Sequence, residues 1–130
     1  MEYQAVEKLI LKLKEIEGRW DYWIDHQGFI EENSNLAPGA IISKYGYFVI
    51  GTTVGGNAIT VSEHDSKIRF CDHTGWYDDT MTFAAKQDYD ERPYSLDNVR
   101  DAQIVLAENS DELIRLVQEN KLDRLIDEYD

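Results

Sequence analysis

The pair Gly55-Gly56 is the first feature of the sequence that could bind a ligand. Phosphate-binding loops place glycines before a helix, so that backbone N–H groups and the helix dipole face the anion. Here the next residues, NAITV, favour a β-strand, and the chain contains neither G-x-G-x-x-G nor G-x-x-x-x-G-K. Gly55, Gly56 and Asn57 are instead typical of a turn between paired strands, since such residues tolerate a positive φ. We therefore predict a structural turn.

The histidines and the single cysteine could bind a metal or form a catalytic pair; they are His26, His64, Cys71 and His73. Zinc sites more often contain tight pairs such as C-x2-C, which are absent here. We predict no metal and no cofactor, with Cys71 buried at a strand end and His73 on the solvent side. A Cys–His dyad could form only through tertiary folding, and no G-x-S-x-G motif occurs. We predict no catalytic residue, and a small metal-binding protein or Cys–His enzyme is the more distant alternative.

The chain of 130 residues favours one domain, residues 1–130. Apolar residues recur at helical spacing in residues 2–17 and again after residue 109. Between these segments, the runs AIIS, YFVIGT, NAITVS and KIRFCD are rich in strand-forming residues, and AQIVLAE follows later. The prediction is an α+β fold: an antiparallel sheet of about four to six strands with an N-terminal helix and C-terminal helices.

Three connecting segments carry further predictions. The segment RWDYWIDHQGFIEENSNLAPGA predicts an irregular or helical passage that ends in the loop EENSNLAPGA. A long surface loop is predicted after Asp72, with a short strand near residues 81–84. Asn109 followed by Glu112 resembles a capping box, and Asn120 is predicted to break the last helical segment.

The charge of the chain is strongly one-sided, with 26 acidic against 13 basic residues and a net charge of −13. Such a field repels nucleic-acid backbones and anionic lipids, so we expect neither nucleic acid nor membrane as a partner. It attracts basic proteins instead. The single cysteine excludes an intrachain disulfide, and neither a signal peptide nor an apolar stretch of about 18 residues is evident. We expect a cytoplasmic protein.

Aromatic rings interleaved with carboxylates suit contact with a basic protein, because rings supply area and acids supply steering. The predicted partner-contact residues are two such clusters and two acids of a charged turn: Trp76, Tyr77, Asp78 and Asp79; Asp88, Tyr89, Asp90 and Glu91; Glu63 and Asp65. The alternative is that the rings fold back onto the sheet while the acids only solvate the loop.

The segment GYFVIGTTVGGNAITVSEHDSKIRFCDH resembles the central part of the SUKH superfamily, which includes fungal Smi–Knr type cell-wall regulators and many bacterial immunity proteins. The shared pattern is a strand ending at Ile50-Gly51, a turn with Gly56-Asn57, a charged turn, and a strand ending near Asp72-His73. The ending VLAENSDELIRLV is similar to the closing helix of the family. The N-terminal part is divergent, since NLAPGAIISKYG only loosely matches the Leu-Pro and helix of many members.

This resemblance implies an α+β fold and a non-catalytic protein that binds and neutralises a cognate polymorphic toxin, often a nuclease or deaminase. The acidic balance of the chain agrees with a basic toxin as the partner. A regulatory or scaffold module that binds other proteins, closer to the fungal members, is the first alternative. Protection against a toxin would separate the two.

Overall fold

A computed structural model describes residues 3–16, 23–36, 38–73, 76 and 95–130. Within these residues the helices are α1 Tyr3–Lys14, α2 His26–Ser34, α3 Gly39–Ile42, α4 Leu96–Asp101, α5 Ser110–Gln118 and α6 Leu122–Asp127. The strands are β1 Tyr47–Thr52, β2 Ala58–Ser62, β3 Ile68–Cys71 and β4 Gln103–Ala107. The predicted α+β fold, with antiparallel sheet and helices at both ends of the chain, is confirmed. The strand predicted near residues 81–84 lies outside the described residues.

The four strands form one antiparallel meander in the order β1-β2-β3-β4. Successive turns of a meander lie at opposite ends of the sheet, so the β1–β2 turn and the β2–β3 turn face opposite ways. The pairing register shifts by one residue between Val49 and Gly51 of β1 and again along β4. Trp23 pairs with Gly51, and the Ile24 N–H donates to the Ile50 carbonyl at 3.1 Å, so the outer edge of β1 is partly covered.

Both faces of β1, β2 and β3 are buried, which explains why these strands read as apolar runs without clean alternation. One core contains sheet residues together with residues of α1, α5 and α6, among them Ile10, Ile59, Phe70, Leu113 and Ile126. The other core contains the opposite sheet face, α3 and a residue of α4, among them Ile42, Tyr47, Val49, Cys71 and Val99. Helices therefore cover the sheet from both sides.

The strand predicted for AIIS is wrong, since residues 39–42 form α3 and a 3-10 turn, Ser43–Tyr45, follows. A four-residue apolar run has no resolvable period, and all of α3 is buried, so burial alone cannot distinguish helix from strand. The turn ends at Gly46, whose φ is 85°. A Cβ on Gly39 would overlap the Glu32 carbonyl oxygen and lie 2.8 Å from its carbon, so α3 packs directly on α2.

The loop predicted from residue 31 onward is also wrong at its start, because residues 31–34 are the last turn of α2. The Asp25 side chain caps this helix by accepting from the Gly28 N–H at 2.8 Å. Asn33 is buried and donates to the carbonyls of Phe29 and Val49, while its own Oδ1 accepts from the Val49 N–H at 2.7 Å. A residue typical of loops thus connects α2 to β1.

The predicted capping of α5 and the break at Asn120 are confirmed. The Asn109 side chain accepts from the Glu112 N–H at 2.9 Å, and the Glu112 carboxylate accepts from the Glu108 N–H at 3.2 Å. Asn120 has a φ of 60°, and the Lys121 N–H donates to the Leu116 carbonyl at 2.8 Å. This is a Schellman ending, which closes α5 and redirects the chain into α6.

Candidate functional site

Residues 53–57 form a tight turn between β1 and β2. The Thr53 N–H donates to the Asn57 carbonyl at 2.9 Å, and the Gly56 N–H donates to the Thr53 carbonyl at 3.0 Å. Gly56 has a φ of 82°, a conformation that other residues adopt only at a cost. The structure therefore places Gly55, Gly56 and Asn57 in a hairpin turn.

The same turn also holds a carboxylate. Asp130 Oδ1 accepts from the Thr53 hydroxyl and, at 2.9 Å, from Asn57 Nδ2, while its Oδ2 accepts from the Gly55 N–H at 3.0 Å. We call Thr53, Gly55 and Asn57 the carboxylate cradle. Partial burial acts to raise the pKa of Asp130, but these bonds and the nearby His73 outweigh it, so the pKa lies below its ordinary value.

The two glycines of the turn serve different purposes. Gly56 is needed for its positive φ, whereas Gly55 has no such conformation. A Cβ on Gly55 would lie 2.6 Å from Oδ1 and 2.8 Å from Cγ of Asp130. Gly55 therefore makes room for the carboxylate, which comes from a residue 75 positions further along the chain.

Asn57 connects the cradle to His73. Its Nδ2 donates to Asp130, so its Oδ1 is the acceptor for the His73 backbone N–H at 2.8 Å and for His73 Nδ1 at 2.7 Å. This arrangement requires the proton on Nδ1 of the His73 ring. Asn57 is 4% exposed, and both ends of its amide are used.

The candidate metal and dyad residues do not converge. Cys71 is fully buried, and burial, aided by the charge of Asp72, raises the pKa of its thiol to about 12. The His73 ring is hydrogen-bonded to Asn57. His64 lies in the β2–β3 turn, at the other end of the sheet, where its Nε2 is 2.7 Å from the Tyr45 carbonyl oxygen. His26 begins α2. Among the described residues, no three His, Cys, Asp or Glu side chains are placed to hold a metal ion.

Asp65, a predicted partner-contact residue, is occupied within the chain. Its two oxygens accept from Arg69 at 3.0 and 2.7 Å, and Oδ1 also accepts from the Lys67 N–H. The Arg69 side chain is 4% exposed and lies 5.3 Å from the centre of the Tyr47 ring. The hydrogen bond from Arg69 lowers the pKa of Asp65 despite its partial burial. Asp65 thus neutralises a buried guanidinium within the chain. Its role as a partner contact stays a prediction, as does that of Glu63, which is exposed in the same turn.

Trp76, another predicted partner-contact residue, is buried. Its ring is 6% exposed and belongs to the core that contains Cys71, and its Nε1 donates to the Asp72 carbonyl at 2.8 Å. This ring folds back onto the sheet because burial of an indole is favourable once its N–H has a partner. The other predicted contacts lie outside the described residues: Tyr77, Asp78, Asp79, Asp88, Tyr89, Asp90 and Glu91.

A further group of exposed acidic and apolar residues lies in the β1–β2 turn and in the residues that lead to Asp130, and it was not predicted from the sequence. Val54, at the tip of the turn, is 82% exposed, and Tyr129 is 38% exposed with its ring 5.8 Å from that of Phe70. We call this surface the acidic end; it consists of Val54, Asp127, Glu128, Tyr129 and Asp130. The run DEYD has the same mixture of rings and acids as the two predicted clusters, and this composition is the signal that could have identified it.

Comparison with known proteins adds no relative. No protein-family model, curated protein or solved structure matches the chain. The resemblance to the SUKH superfamily thus rests on the sequence segments quoted above and stays a prediction. Among the described residues, no helix is both long and apolar enough to cross a membrane.

Proposed function

We propose that this protein is a SUKH-like immunity protein that binds and neutralises a basic protein toxin without catalysing a reaction. The observation that carries the proposal is the acidic end. There, a valine that is 82% exposed lies at a turn tied to Asp130, next to the exposed acids Asp127 and Glu128. The net charge of −13 makes the molecule as a whole attractive to a basic partner.

This combination suits a protein partner for a physical reason. Val54 and Tyr129 offer apolar and aromatic area that loses water on contact. The carboxylates around them attract a basic surface over a distance and increase the association rate more than the final affinity. A nuclease, whose active surface must attract phosphates, has the complementary charge. Covering that surface would block its substrate without any chemistry in this chain.

The state of the candidate nucleophile supports binding rather than catalysis. A thiol whose pKa is raised to about 12 is protonated at neutral pH, and Cys71 is also out of reach of solvent. The ring of His73, the nearest histidine in sequence, is held by Asn57.

The proposal is tested by identifying a toxin gene among the neighbours of this gene and expressing that toxin in a host cell, with and without this protein. We expect restored survival and a 1:1 complex whose affinity falls when salt rises from about 0.05 to about 0.5 M, because steering is screened. A toxin that remains active in the presence of excess protein contradicts the proposal. The regulatory alternative predicts endogenous partners and no protection.

Two charge reversals locate the interface. Glu128→Lys changes the acidic end, and Glu63→Lys makes the same change in the β2–β3 turn, at the opposite end of the sheet. Contact through the acidic end predicts that Glu128→Lys weakens the complex about tenfold or more and that Glu63→Lys, at a contact predicted from the sequence, has little effect. The reverse result would assign the interface to the β2–β3 turn.

A further inference from the structure

We propose that the carboxylate cradle is a binding site for a carboxylate group, filled by Asp130 in this state and open to a carboxylate of another molecule when Asp130 leaves. The inference does not depend on the proposed function. It rests on three donors, from Thr53, Gly55 and Asn57, that converge on the two oxygens of one carboxylate.

The donors of the cradle are also held by hydrogen bonds that do not involve Asp130. The Thr53 hydroxyl accepts from the Asn57 N–H at 3.1 Å, so its own proton is free to point at the bound group. Asn57 is held through its Oδ1 by His73, and the Gly55 N–H is set by the turn. Thr53 and Asn57 are 8% and 4% exposed. Donors held in this way lose little freedom on binding, which favours affinity.

The shape and charge of the cradle select the ligand. One oxygen takes two donors and the other takes one, which matches the forked geometry of a carboxylate. The absence of a side chain on Gly55 leaves the space that the carboxylate occupies. The net charge of −13 disfavours a dianion such as phosphate, so a monoanionic carboxylate fits best.

Asp130 occupies the cradle as part of the same chain, and an outside carboxylate has to compete with it. It is exposed overall, and its bonds to the cradle compete with water. Because it is held on the same chain, an outside carboxylate competes with an effective concentration of about millimolar or more. Binding is thus weak while Asp130 is in place and becomes measurable once it is removed.

The test is a titration of isotope-labelled Asp130→Ala protein with sodium acetate, followed by NMR at the Gly55 amide and the Asn57 side-chain amide. We expect saturable shifts at both groups, with an affinity at least about tenfold higher than that of the wild-type protein. Sodium chloride at equal ionic strength is the salt control. Asp123→Ala removes the same charge from an exposed position of α6 but keeps the cradle filled, and it should behave as the wild type does.

Two more variants keep the test decisive. Asp130→Asn retains one acceptor oxygen, so its acetate affinity should lie between those of the wild type and Asp130→Ala. If the alanine variant folds poorly, the comparison of Asp130→Asn with the wild type still tests the proposal. Thr53→Val in the Asp130→Ala background should weaken acetate by about tenfold through the lost hydrogen bond. Absence of saturation in both Asp130 variants, or equal shifts in Asp123→Ala, would overturn the proposal.

A second arm distinguishes the source of the carboxylate. Unlabelled wild-type protein is added to labelled Asp130→Ala protein. Shifts of the Gly55 amide in this arm mean that Asp130 of a second copy can enter the cradle. Shifts with acetate alone mean that the site serves carboxylates from elsewhere.

Discussion

The Gly55 backbone N–H and the Asp130 carboxylate are joined by a 3.0 Å hydrogen bond across 75 positions of sequence. The space that a Cβ would fill at residue 55 is the space that this carboxylate occupies. The two residues therefore depend on each other, whereas the neighbouring Gly56 depends only on its own φ of 82°.

This dependence predicts different couplings for two adjacent substitutions. Gly55→Ala should lower the free energy of unfolding by about 1 to 2 kcal/mol, because the carboxylate is displaced and its hydrogen bonds are lost. Gly56→Ala should cost about 1 kcal/mol through backbone strain. In an Asp130→Ala background the loss of stability from Gly55→Ala should nearly vanish, whereas the loss from Gly56→Ala should persist. Urea unfolding of the three single and two double variants measures both effects, and additive costs for Gly55→Ala and Asp130→Ala would refute the coupling.

Acid should weaken the fold through Asp130 and Asp65, whose pKa values are lowered in the folded state. The pKa of such a carboxylate is lower in the folded state than in the unfolded state, where it is about 3.9. Its contribution to the free energy of unfolding is complete above the unfolded pKa and is lost as the pH falls through the folded pKa. We expect the stability difference between wild type and Asp130→Asn to be constant near neutral pH and to shrink below about pH 4. Asp123→Asn is the control, and a difference independent of pH down to about pH 2 would contradict the lowered pKa of Asp130.

Asp65 is predicted to matter for stability more than its place in an exposed turn suggests. Asp65→Ala leaves the Arg69 guanidinium, whose side chain is 4% exposed, without its bidentate partner. Because Asp65 itself is partly exposed, we expect a loss of about 2 kcal/mol rather than the full cost of breaking a buried pair. Chemical denaturation measures it.

The same pair predicts a rescue. Arg69→Met combined with Asp65→Ala should restore part of the stability lost in Asp65→Ala alone, since no buried charge then remains unpaired. Asp123→Ala, which removes an exposed acid of α6, should change stability by less than about 0.5 kcal/mol. An equal loss for Asp65→Ala and Asp123→Ala would show that the ion pair contributes nothing.

Cys71 should be unreactive in the native protein. Its burial and a thiol pKa of about 12 keep the thiolate fraction at pH 8 very small. We expect a thiol reagent such as DTNB to label the folded protein more than about a hundredfold more slowly than the urea-unfolded protein. Rapid labelling of the folded state would instead favour the Cys–His enzyme hypothesis.

The parts of the fold that were predictable from sequence are those with a local physical cause. The runs around Val49, Ile59 and Phe70 are strands because β-branched and aromatic residues occur between turn signals, and Asn109 caps α5 through its own side chain. The strand prediction for AIIS was wrong because three buried apolar residues are too few to show a period. The role of Asp130 could not be predicted, since no local pattern pairs it with Thr53, 77 positions away.

The contacts between Asp130 and the β1–β2 turn also bear on the kinetics of folding. They close a loop of 77 positions. Closing so long a loop before the sheet has formed costs chain entropy that no other native contact yet offsets. These bonds should therefore form after the rate-limiting step. Their removal should leave the folding rate nearly unchanged and accelerate unfolding, so that Asp130 determines how long the native molecule persists rather than how fast it is made.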